Sequence, residues 1–140
     1  MYKLRLFALL LLAFGLCTLA RAQDAVFIVN KATKVDSLSA DDARAILLGN
    51  KVRFEDGTVI RLAVQTDGAV HESIIRTYVQ RSTDQFEKFW KRLVFTGKGV
   101  MPEECGSDAE VIAYVAKTPG AFGYVAKASV TPDVAVVQVR

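Results

Sequence analysis

The chain holds a single histidine, His71, so Ser-His-Asp, Cys-His or two-histidine zinc chemistry would each have to be built around that one ring. His71 stands three residues before Ile74, on the edge of an apolar helical stripe. There, a partly packed ring in a first helical turn is the plain reading and contact with a ligand is the functional one. Cys105 follows Glu103 and Glu104, whose charges raise a thiol pKa, while a helix beginning after Ser107 pulls the other way. With no base beside it in sequence, Cys105 reads as structural rather than as a nucleophile. Thr96-Gly97-Lys98-Gly99 offers glycine-rich backbone to an anion. It lacks the first glycine and the Lys-Ser/Thr ending of a P-loop, so a tight turn after a helix is expected. One histidine and one poorly placed cysteine leave little machinery for acid-base or nucleophilic work, and the expectation is a protein that is not an enzyme and uses no metal and no cofactor.

A binding chemistry is better supported. Gln65-Thr66-Asp67-Gly68 comes directly after a predicted strand and directly before a predicted helix. The unpaired first N–H groups of such a helix lie beyond the carboxyl end of the strand, a place that anions and polar ligands favour. The candidate ligand-binding residues are Thr66, Asp67, Gly68, Ala69, Val70 and His71, with the amides of Gly68 to Val70 as donors and His71 contributing when protonated. Thr66 or Asp67 would also serve as an ordinary N-cap, and spacing alone favours that simpler role.

The elements that must position this turn follow from periodicity. Ala25 to Val29 reads as a first strand. Ser39, with Asp42 three residues on, caps a helix whose buried stripe is Ala43, Ile46 and Leu47 and which Gly49 stops. Asp56-Gly57 turns the chain into a strand from Val59 to Val64, with Ile60, Leu62 and Val64 on one face, and a helix follows from Gly68 to Gln80. Ser82 and Gln85 form a capping box for a helix whose stripe of Phe86, Phe89, Trp90, Leu93 and Val94 is expected at the centre of the core. Ser107 and Glu110 form another, for a helix ending near Lys117; Thr118-Pro119-Gly120 breaks it, and strands Ala121 to Val125 and Val134 to Val139 follow. Strands alternating with helices imply an α/β domain on a largely parallel sheet.

The first residues have the order of a cleavable export signal: Lys3 and Arg5, an apolar run from Leu6 to Leu16, then Ala20-Arg21-Ala22. Residues 1–22 are expected to be removed after Ala22, leaving 23–140 as one periplasmic domain without stable membrane insertion, since the apolar run is short for a bilayer span. Of 18 Lys and Arg, three lie in that leader with none of the 15 Asp and Glu, so the remainder is neutral. A neutral domain gives no electrostatic ground for a nucleic-acid partner. Cys17 would leave with the leader, and Cys105 then has no disulfide partner within the chain.

Several segments together are similar to a known family. They are Val29-Asn30-Lys31, Leu38 to Gly49, Asp56-Gly57, Phe95 to Gly99 and Thr118 to Val125. They resemble one lobe of the periplasmic phosphate-binding proteins of ABC transporters, and more closely the short, single-lobe exported proteins described as phosphate ABC transporter substrate-binding-like. The resemblance covers essentially all of residues 25 to 139. It implies a three-layer α/β domain with a largely parallel or mixed sheet, one lobe of a type II periplasmic binding protein. In the full-length family the turn reads approximately Arg-x-Asp-Gly-Ser-Gly-Thr and holds phosphate. Asp67 and Gly68 match the aspartate and first glycine, whereas Gln65, Ala69, Val70 and His71 stand in place of the arginine, serine, second glycine and threonine. Losing the charge-assisted donor and two hydroxyls, each worth about 1.5 to 3 kcal/mol when bonded to a charged group, implies weak binding of phosphate or another small anion. The alternative is a protein-interaction or sensory accessory module whose partner is an envelope receptor, sensor or transporter subunit.

Overall fold

Apolar runs of β-branched and aromatic residues set the sheet. The computed structural model describes residues 24–140; the expected leader, its cleavage position and Cys17 lie outside the described residues. The strands are β1 (Ala25–Asn30), β2 (Ser37–Leu38), β3 (Arg61–Gln65), β4 (Glu103–Cys105), β5 (Ala121–Ala126) and β6 (Val134–Val139). The helices are α1 (Ala40–Leu47), α2 (Ala69–Ile74), α3 (Thr83–Phe95) and α4 (Asp108–Lys117). Helix α2 runs on through a π-helical turn, Ile75–Val79.

The sheet order is β2-β6-β1-β5-β3-β4. β3 lies parallel to β4 and β5, and β2 parallel to β6. β1 runs antiparallel to both β5 and β6, which makes the sheet mixed. All six residues of β5 are buried, as a strand covered on both faces requires. Alternation then sorts the side chains: Phe27, Val29, Leu62 and Val64 join one core cluster with α1, α2 and α3, while Ile28 and Ala63 join a second under α4. The result is a three-layer α/β domain.

The caps follow the expected pattern with one difference. Ser39 Oγ accepts from Asp42 N at 3.0 Å, and Ser82 and Gln85 form the full reciprocal box. Ser107 Oγ accepts from Glu110 N at 3.2 Å, but the Glu110 carboxylate takes the N–H of Gly106 instead, so that box is only half formed. Gly49 ends α1 at φ 71°, where a Cβ would also meet the Trp90 ring at 2.8 Å.

The centre of the core is not α3. Phe27 and Phe122 stack at 5.0 Å, with Tyr78 and Tyr124 packed on Phe27, so the aromatic centre sits on β1 and β5. Helix α3 buries Phe86 and Trp90, leaves Phe89 and Leu93 half-buried, and exposes Val94. An amphipathic stripe reports segregation around a helix, not depth, and α3 covers the end of α1, where the Trp90 indole N–H donates to Leu47 O at 3.0 Å. Two further differences have local causes. The strand expected from Val59 starts at Arg61, because Val59 bridges to Arg53 and the Ile60 amide bonds Val52 O. The helix expected to reach Gln80 ends there with a wider turn, the Gln80 amide bonding the Ile75 carbonyl five residues back. β2 and β4 had no sequence signal, being two and three residues long.

Candidate functional site

Gln65 ends β3, and Thr66 to Gly68 turn the chain into α2. Gly68 holds φ 96°, a conformation that costs a side chain strain, and it is the N-cap of α2 with no side-chain cap hydrogen bond. Neither Thr66 nor Asp67 therefore acts as the ordinary cap that spacing favoured. The Glu72 amide makes the first helical bond, to Gly68 O at 3.0 Å, and the amides of Gly68 to His71 have no partner among the described residues. Thr66, Asp67, Gly68 and Ala69 are exposed, whereas Val70 turns its side chain into the core.

His71 is the exception in this turn: only 5% of it is exposed. Its ring stacks on Tyr124, and its Nδ1 lies 2.6 Å from the Tyr124 hydroxyl. That hydroxyl is buried and its only other hydrogen bond is the Gln65 N–H it accepts at 3.1 Å, so Nδ1 is the one acceptor within reach of its proton, and a neutral ring then carries its own proton on Nε2. Burial pushes the His71 pKa below 6.5, with the charge of Asp67 opposing in part. Burial thus disfavours the protonated form in which His71 was expected to contribute to an anion.

Gln65 is 6% exposed and equally constrained. Its Nε2 donates to Asp108 Oδ1 at 2.7 Å and to Tyr124 O at 3.0 Å. Both partners accept only, so the amide orientation is fixed. Asp108, in the first turn of α4, also accepts from Ala126 N and from Ser129 Oγ, tying β3, α4 and β5 behind the turn. Sequence reasoning passed over Tyr124 and Asp108. The available signal was a tyrosine in an otherwise apolar run, whose hydroxyl must find a partner once buried.

Gln65, Thr66 and His71 line a cavity of about 270 Å³ that reaches α3 at Phe86 and Trp90. No lysine or arginine lines it, whereas Asp84, Glu87 and Glu104 do. A multiply charged anion seated there would face carboxylates.

The other candidates are structural. Cys105 is buried, and burial first, then the charges of Glu103 and Glu110, push its thiol pKa up. In the Thr96 to Gly99 loop, the amides of Gly97 and Lys98 bond Val94 O and Leu93 O, closing the end of α3 rather than facing an anion. Among the described residues no three His, Cys, Asp or Glu come together as metal ligands, and no helix is long and apolar enough to cross a membrane.

No protein-family model matches the chain, and no curated protein matches it. Solved structures do. A crystal structure of an ABC-type phosphate transport receptor from Vibrio cholerae has TM-score 0.65 and 15% identity over 82% of this chain and 45% of its own. A putative phosphate ABC transporter substrate-binding protein with bound phosphate from Clostridium perfringens has TM-score 0.66 and 16% identity over 82% of this chain and 44% of its own. PstS from Borrelia burgdorferi has TM-score 0.55 and 16% identity, covering 83% and 47%. The chain spans less than half the length of each of these proteins. Its fold is that of a single lobe of phosphate ABC transporter substrate-binding proteins.

Proposed function

We propose that the protein is an exported, periplasmic, solute-binding-like protein that takes phosphate or another small anion weakly at the turn from Thr66 to His71. The observation that supports this most is the uncapped turn after β3, where the amides of Gly68 to His71 have no partner among the described residues. Thr66 adds a hydroxyl, and Asp67 and Gly68 occupy the positions that the resemblance matches. Binding is weak because no arginine reaches the turn from its own sequence and acidic side chains line the adjoining cavity. Calorimetry of residues 23–140 against phosphate, sulfate and simple carboxylates at pH 6 and 8 tests the reading. Weak saturable heat is expected with at least one anion, and no detectable heat with any of them overturns it.

A second reading rests on a different observation. Phe95 is 89% and Val100 88% exposed, beside the half-exposed Met101. Large apolar side chains left so exposed and so near in sequence favour an interaction or sensory accessory module that binds an envelope receptor, sensor or transporter subunit. A pull-down with residues 23–140 from envelope extracts separates the two: a stable protein partner lost on Phe95→Ser and Val100→Ser favours the module.

A further inference from the structure

The cavity beside the turn presents a hydrogen-bonding floor with a fixed pattern. His71 and Gln65 are each more than nine-tenths buried and both line it. His71 Nδ1 is held by Tyr124, and both Gln65 amide hydrogens are held by Asp108 and Tyr124. That leaves His71 Nε2–H as a donor and Gln65 Oε1 as an acceptor, with no partner for either among the described residues. No side-chain nitrogen or oxygen sealed from solvent lacks a partner among the described residues, so these two atoms keep some exposure, and the residues that carry them line the cavity. The two residues are held together by one oxygen, the Tyr124 hydroxyl, which bonds Gln65 N and His71 Nδ1 at 3.1 and 2.6 Å.

A donor and an acceptor on the lining of one cavity are what a carboxamide can use, since its C=O and N–H present the reverse pair. The walls are Phe86 and Trp90, which favour an apolar or cationic body. At the rim stand Asp84, Glu87 and Glu104; Glu87 is paired with Lys91 at 2.6 Å, while Asp84 and Glu104 have no ion-pair partner among the described residues. The volume of about 270 Å³ suits a molecule of roughly one amino-acid residue.

We propose that this cavity binds a small cationic amide, its carboxamide on His71 Nε2–H and Gln65 Oε1 and its positive group at Asp84 and Glu104. The anion reading uses the backbone amides of Gly68 to His71, and of these four residues only His71 also lines the cavity.

Trp90 is the chain's only tryptophan and lines the cavity, so its fluorescence reports occupancy. The test titrates residues 23–140 with Nα-acetyl-lysine N-methylamide, its norleucine and glutamate counterparts, and inorganic phosphate. Saturable change with the lysine amide is expected, weaker with norleucine and absent with glutamate and phosphate. Asp84→Asn with Glu104→Gln, both with exposed side chains, should weaken the lysine amide about fivefold and leave norleucine unchanged. A flexible peptide of nine residues with one central lysine distinguishes the sources: tighter binding than the single-residue amide identifies a protein segment, and equal or weaker binding identifies a free small molecule. No saturable change with either lysine compound, or equal binding of the glutamate amide, overturns the proposal. Failure of the anion reading would show separately, as absent phosphate heat while the lysine amide still binds.

Discussion

Tyr124→Phe removes one oxygen and nothing else, and the structure allows the cost to be worked out. The side chain is fully buried in the middle of β5, and the ring would keep its packing on Phe27 and His71. The hydroxyl accepts the Gln65 N–H at 3.1 Å and donates to His71 Nδ1 at 2.6 Å. The change leaves a backbone N–H and a ring nitrogen without partners in the interior, where each orphaned group costs about 1–3 kcal/mol. A loss near 3 kcal/mol is therefore expected, or a fall in Tm on the order of 10 °C for a domain of this size. Urea denaturation followed by circular dichroism measures it, with an unchanged m-value showing that the unfolded state is not responsible. Imidazole nitrogen shifts by NMR give a second readout, because the proton-on-Nε2 form loses the hydroxyl that enforces it. A loss under about 0.5 kcal/mol with the tautomer unchanged would refute the reasoning that Tyr124 organises Gln65 and His71.

Asp108→Ala deprives Gln65 Nε2, Ala126 N and Ser129 Oγ of their shared acceptor. A loss of about 3 kcal/mol in the same denaturation assay is expected, with Gln65 released as seen in its side-chain amide NMR signals. Gly68→Ala meets no atom within 4 Å, so its cost is the strained backbone alone, about 1–2 kcal/mol by thermal melting. The folded pKa of His71 lies below its ordinary 6.5, so the unfolded chain binds the proton more readily. The stability that His71 contributes is complete above about 6.5 and falls as pH drops toward the folded value, and His71→Gln should flatten that part of a urea stability profile.

Much of the framework was legible because its signals are local. Ser39, Ser82 and Ser107 announce helix starts, Gly49 announces a stop, and the apolar runs of β1, β5 and β6 are long enough to read as strands. What escaped was set by distant contacts. β4 exists because β3 offers it an open edge, not because Glu103 and Glu104 favour a strand. The depth of α3 could not be read from Phe86 to Val94, since the aromatic centre is assembled by Phe27 and Phe122, residues far apart in sequence. At the site, the turn was found from its position between strand and helix. The tautomer of His71 was not, because it depends on Tyr124, 53 residues away. Gln65 looked like a lost arginine, yet its side chain is fastened to Asp108, 43 residues away.

The central claim is that the turn after β3 receives a small anion through its backbone. A ¹⁵N–¹H NMR titration of residues 23–140 with inorganic phosphate tests it residue by residue. The expected result is saturable movement centred on the amides of Gly68, Ala69, Val70 and His71, with the amides of Gly97 and Lys98 at the end of α3 unmoved. Phosphate-dependent shifts at the Gly97 and Lys98 loop alone, or none at Gly68 to His71 at millimolar phosphate, would contradict the claim.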